Sequence, residues 1–130
     1  MSSEERRETD FNSESKPAEI TVLDVLGDIK VMKFGEGFMD LSTSEAIKQS
    51  FEKHYYKEAK FLFDLNNVSF MDSEGIKSIL ACIRVIRAAR SSAAIVCSRR
   101  SKPFRALKLS GIVETLPVFE DIQQGIENLE

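Results

Sequence analysis

The 130-residue chain has no tryptophan, one histidine, two cysteines and three prolines. These shortages remove several kinds of chemistry. A structural zinc site needs clustered Cys and His ligands. Here Cys82 and Cys97 sit singly in the apolar runs ILACI and AAIVC, which reads as two buried free thiols. A Ser-His-Asp relay would have to use His54, whose charged segment EKHYYKE places it at the surface. Neither GxGxxG nor GxxxxGK[ST] is present to cradle a nucleotide phosphate. No apolar run approaches the ~20 residues that would cross a bilayer, so no membrane insertion is expected. The N-terminal MSSEERRETDFNSESK lacks the apolar stretch of a signal peptide, and the expected location is the cytoplasm. With no constellation for catalysis, no enzyme activity and no cofactor are expected.

What is present is a soluble-domain composition. Hydrophobic residues make up 42% and charged residues 30%, enough for one packed core at this length. The net charge of −3 is not that of a nucleic-acid-binding chain. It is unevenly spread. Between Glu74 and Glu114 there are nine basic residues and no acid; the remainder sets nine bases against all 21 acids, a balance of −12. This interval is either a solvated face with its counter-charges elsewhere in the fold or an electropositive surface that steers an acidic protein partner.

Residues 1–17 are rich in Ser, Glu and Arg, and a disordered tail is expected there, with the domain over 18–130. Ile20–Leu26 and Ile29–Phe34 are β-prone runs around Gly27-Asp28, which predicts a hairpin of the II′ kind. Gly35 and Gly37 should end the second strand. Ser42-Thr43-Ser44-Glu45 fits a capping box before a helix from about Thr43 to Tyr56. Lys60–Leu65, apolar on both parities, predicts a central strand. Ile76, Ile79, Leu80, Ile83 and Ile86 form one face of a helix ending near Arg90. Ala93–Cys97 reads as another strand. Ser101 and Pro103 open a helix that Ser110-Gly111 stops, Glu114–Val118 reads as a brief extended piece, and Asp121 caps a final helix. This alternation predicts an α/β fold: a mixed four- to five-stranded sheet with about four helices packed on it.

One segment invites a functional reading. Asp72-Ser73-Glu74-Gly75 lies where a strand hands over to the most periodic helix. It reads as a plain helix start, with Asp or Ser capping and Glu74 at the positive dipole end. The second reading, which the four residues alone favour less than the plain start, is a hydroxyl, Ser73, at an anion-friendly helix N-terminus, where free backbone N–H groups would hold a phosphate and Lys77 would add a counter-charge.

The stretch FLFDLNNVSFMDSEGIKSIL resembles the signature of the STAS domain, and especially of the anti-sigma factor antagonists. Asp64, Val68, Phe70, Met71, Asp72, Ser73, Gly75 and Ile76 carry that likeness. Gly37-Phe38-Met39-Asp40 is similar to the family's motif before the first helix. Leu109-Ser110-Gly111-Ile112 with Leu116-Pro117-Val118-Phe119 is similar to its C-terminal segment. The resemblance runs from about Glu19 to Leu129. It implies a single STAS-like domain that works by partner switching. Ser73 would be the phosphoacceptor. Asp40, Asp72, Ser73, Glu74, Gly75, Ile76 and Lys77 would form the partner-binding surface. Dephosphorylated, such a protein binds an anti-sigma factor with serine kinase activity; phosphorylation ends the contact, and a PP2C-type serine phosphatase restores it. It makes no direct contact with nucleic acid. Glu74 stands where the family usually has Ser or Thr, and Lys77 where Gly is common. The alternative role on the same fold is a non-switching scaffold subunit of a stress-signalling or transport complex.

Overall fold

The computed structural model describes residues 16–129. Residues 1–15, where most of the expected tail falls, lie outside that range. The chain order is β1 (Ile20–Asp24), β2 (Ile29–Phe34), β3 (Gly37–Met39), α1 (Leu41–His54), β4 (Lys60–Asp64), β5 (Val68–Met71), α2 (Ser73–Ala88), β6 (Ala93–Val96), α3 (Lys102–Ser110), a 3-10 turn (Ile112–Glu114), β7 (Val118–Phe119) and α4 (Ile122–Asn128). The main sheet runs β1-β2-β4-β6-β7. Only its first pair is antiparallel; β2, β4, β6 and β7 are parallel neighbours. The mixed α/β sheet read from the sequence is therefore present.

Side-chain alternation divides the core in two. Phe61 and Phe63 of β4 face the larger cluster, where Ile47 and Phe51 of α1 and Ile79, Ile83 and Ile86 of α2 meet them. Leu62 points the other way, with Val31, Ala94 and Val96, under α4. A Cβ on Gly125 would lie 2.9 Å from Leu62 Cδ2, so glycine lets this short helix sit close on the sheet. Because β4 has a covered face on each side, four of its five residues are buried, and this is why it shows no alternation in sequence.

The hairpin turns at Gly27-Asp28 as expected, although its ladder sets Asp24 opposite Lys30 and the Val25 N–H, not that of Leu26, donates to Ile29 O. Gly27 adopts φ 55°, Asp28 keeps a negative φ, and the Ile29 N–H donates to Leu26 O at 3.0 Å. Three expectations need correction. Gly37 does not simply end β2; it opens β3, which pairs in parallel with β5 to make a separate two-stranded sheet. Glycine is required there because φ is 134° and a Cβ would strike the backbone of Lys16 and Ala18. The cap of α1 is Asp40, not Ser42, and the helix begins at Leu41. The Glu114–Val118 piece is not extended throughout: Glu114 ends a 3-10 turn (Ile112–Glu114), and the two-residue strand starts only at Val118. Lys16, within the expected tail, is tied to the small sheet, since its O accepts from the Phe38 N–H at 2.9 Å.

Candidate functional site

The small sheet brings two helix starts together. Both of its strands end in an aspartate, Asp40 after β3 and Asp72 after β5, and each aspartate caps the helix that comes next. The Asp72 N–H donates to Met39 O at 3.2 Å, which ties one start to the other. Gly75 permits this approach, because a Cβ there would lie 2.5 Å from Met39 O and 2.9 Å from Met71 Cγ. Lower down, Ser78 Oγ donates to Ser44 Oγ at 2.8 Å.

Ser73 is the first residue of α2 and is exposed. Its hydroxyl makes no hydrogen bond with any described residue. Its neighbours are all engaged. Asp72 Oδ1 accepts from the Glu74 N–H at 2.9 Å and from the Gly75 N–H at 3.1 Å, and Asp72 O accepts from the Ile76 N–H. This corrects the picture of free amides waiting for a phosphate: the carboxylate of Asp72 already holds them. Lys77, expected as the counter-charge, is turned instead to Glu74, with Nζ 2.9 Å from Oε2. Both side chains are substantially exposed, so the pair contributes little to stability. A phosphate on Ser73 would therefore enter a place where the Lys77 ammonium and the Glu74 and Gly75 amides are already engaged. Its charge would face outward.

Of the residues read as a partner surface, Ser73 and Lys77 are exposed, while Asp40, Asp72 and Glu74 are half-buried. Gly75 and Ile76 are buried. Ile76, only 8% exposed, packs in the core and offers no side chain to a partner. Two residues that the sequence did not single out as surface add apolar area nearby in the chain: Leu41, 69% exposed at the first position of α1, and Phe70, 52% exposed on β5. Phe70 could have been suspected from its alternation with buried Met71; Leu41 had no such signal, being one apolar residue before a polar run.

A groove of about 620 Å³ separates α1 from α2. Phe51, Tyr55, Ala81, Cys82 and Val85 line its apolar part, and Glu74 and Lys77 stand at one end. Burial pushes the Cys82 thiol up to about 12, and burial also raises Cys97, so both are held as neutral thiols rather than nucleophiles. Among the described residues no group of three or more His, Cys, Asp and Glu could hold a metal ion, and no helix is long and apolar enough to cross a membrane.

The sequence matches the STAS domain family over residues 21–125. No curated protein matches it. Several solved structures share the fold. An anti-sigma factor antagonist from Mycobacterium paratuberculosis is 21% identical, with a TM-score of 0.76 over 87% of this chain and 96% of its own. The anti-sigma factor antagonist SpoIIAA in its unphosphorylated form is 17% identical, with a TM-score of 0.69 over 84% of this chain and 94% of its own. The Bacillus cell fate determinant SpoIIAA in the phosphorylated form is 17% identical, with a TM-score of 0.59 over 84% of this chain and 97% of its own.

Proposed function

The chain belongs to the STAS domain family, and from that premise we propose that it is a cytoplasmic anti-sigma factor antagonist switched off by phosphorylation of Ser73. Dephosphorylated, it binds an anti-sigma factor with serine kinase activity and so releases the sigma factor. The kinase transfers the γ-phosphoryl group of ATP to Ser73 Oγ, the hydroxyl proton leaves to a base of the kinase, and ADP departs. A PP2C-type serine phosphatase hydrolyses the ester and restores the binding form. The chain is a substrate and a partner in this cycle, not its enzyme.

The observation that carries this reading is the state of Ser73: exposed, at the first turn of α2, with a hydroxyl that no described residue engages. A kinase can reach it without unfolding anything. The fold neighbours support the reading, since one of them, SpoIIAA, has been solved in both unphosphorylated and phosphorylated forms. The physics of the switch is modest. Phosphoserine adds about −1.5 to −2 charges at neutral pH. With the Glu74 and Gly75 amides held by Asp72, and Lys77 held by Glu74, little of that charge is absorbed locally. A ~100-fold loss of affinity needs only ~2.7 kcal/mol, which repulsion from one acidic partner group and desolvation of the phosphate can supply.

The test is to incubate the protein with its cognate anti-sigma kinase and ATP and read intact mass. One phosphate should be added, and Ser73→Ala should abolish the addition. Phosphate on another residue defeats the reading. A Ser73→Asp variant that still binds the kinase as tightly as the wild type replaces it with the non-switching scaffold.

A further inference from the structure

The interval from Gly75 to Val113 holds nine basic residues and no acid. The fold gathers most of them on α2, α3 and the turns that flank β6. Arg84, Arg87, Arg90, Arg100, Lys102 and Arg105 are exposed, as is Lys108. None of these seven has a carboxylate within 4.0 Å among the described residues; the other two of the nine do, Arg99 with Glu120 at 3.5 Å and Lys77 with Glu74 at 2.9 Å. A face kept merely solvated would have acids interspersed with its bases.

The placement on α3 is electrostatically adverse. Cations suit the C-terminal turn of a helix, which accounts for Lys108 and, on α2, Arg87. Arg100 instead precedes the Ser101 cap, Lys102 is the first residue of α3, and Arg105 comes one turn later, with no acid in that first turn. These charges crowd the positive end of the helix dipole. Lys102, Arg105 and Lys108 also stand three residues apart, so like charges neighbour one another along one stripe. Leu109, 85% exposed, lies one turn from Arg105. Such an arrangement costs the free protein stability, and an external anion would recover it.

We propose that the α2–α3 face is a docking surface for an acidic polypeptide segment, with Arg84, Arg105 and Lys108 at its centre and Leu109 as its apolar contact. A polypeptide fits better than a nucleic acid. The nine residues of α3 rise ~14 Å, the reach of about four extended residues. Beyond that span a long polyanion would meet the rest of the described chain, where seven bases stand against 15 acids, a balance of −8. The only aromatic of α3, Phe104, is half-buried and offers no stacking platform.

The test needs no kinase and no phosphorylation, so its failure leaves the Ser73 switch standing. Poly-L-glutamate is titrated into the full chain in low salt and again in about 0.3 M NaCl, with a DNA duplex of about 20 base pairs in parallel. Expected are saturable binding of polyglutamate, at least about tenfold weaker in the higher salt, and a further loss of about tenfold or more in R84E/R105E/K108E. The variant R84K/R105K should bind like the wild type, because the charge is retained. All three substituted side chains are exposed, and a cooperative circular dichroism melt with the wild-type folded spectrum confirms that the reversed variant folds. Absence of polyglutamate binding, equal binding by the reversed variant, or tighter binding of the DNA duplex than of polyglutamate overturns the proposal.

Discussion

Asp40 and Asp72 do the same job at places distant in sequence but adjacent in space: each ends a strand of the small sheet and caps a helix. The two helix starts differ in how they are closed. After Asp40, the start of α1 is closed on itself. Asp40 Oδ1 accepts from the Ser42 N–H at 2.8 Å and from Ser42 Oγ at 2.6 Å, while Thr43 Oγ1 accepts from the Asp40 N–H at 3.0 Å. After Asp72, Oδ1 holds two amides, the third residue is a glycine with no side chain to reciprocate, and Ser73 is left unengaged. Ser42 and Ser73 each lie within two residues of a capping aspartate, yet of the two only Ser73 has a hydroxyl with no partner among the described residues. At the start of α2 the cap is complete without the serine.

The largest effect should come from the position where the two starts touch. Gly75→Ala places a Cβ against Met39 O, a backbone atom that cannot rotate away, and should destabilise the fold by about 3 kcal/mol in urea unfolding. A loss below about 0.5 kcal/mol would show that the starts do not pack against each other. Next come the caps. Asp72→Ala and Asp40→Ala should each lose about 1 kcal/mol. Only Asp72→Ala should also lower the second pKa of phosphoserine at Ser73, read by phosphorus NMR, because the amides it vacates become available to the phosphate. An unchanged titration would mean that those amides do not face the phosphate. Smaller still is the contrast between the serines. Ser73→Ala should stay within about 0.5 kcal/mol of the wild type, since it removes no hydrogen bond. Ser42→Ala should cost more, up to about 1 kcal/mol. Equal costs would erase the difference between the two starts.

The smallest effect at neutral pH concerns the Cys82 thiol, on the side of α2 that faces α1. Cys82 is raised in the fold to about 12 from its ordinary 9. A group whose acid form is favoured by folding adds stability that is complete below the unfolded pKa and is lost as pH rises toward the folded one. The urea midpoint should thus be insensitive to this thiol near neutral pH and decline above about pH 9, with Cys82→Ala flattening the decline. An identical decline in Cys82→Ala would show that the thiol has no part in it.

Much of this arrangement was legible in the order of residues. Long periodic signals translated directly: the Ile76–Ile86 face became the buried side of α2, and the two-parity apolar run became the central β4. Strong local chemistry did too, at the Gly27 turn and at the Ser101 and Asp121 caps. Short elements did not. β3 and β7 have three and two residues, too few to show a period, and their pairing depends on partners distant in sequence. The cap of α1 was misplaced because Ser42 and Glu45 fit a capping-box pattern, while Asp40, two residues earlier, fits the geometry; pattern alone has no way to rank them. At the candidate site, residue types and order were visible, but their engagement was not. A sequence contains Asp72, Ser73, Glu74 and Lys77 without saying that Asp72 takes the amides or that Lys77 takes Glu74.

By itself, then, the order of residues determined the α/β architecture, the helix that begins at Ser73 and the one-sided distribution of charge, because periodicity, capping and net charge are local properties that need no knowledge of neighbours. Tertiary structure alone decided that Met39 and Gly75 meet, that Ile76 is core rather than surface, and that one serine of the two near capping aspartates keeps its hydroxyl unengaged. Those outcomes depend on which backbone groups reach one another across the small sheet, and such distances are set only when the chain has closed.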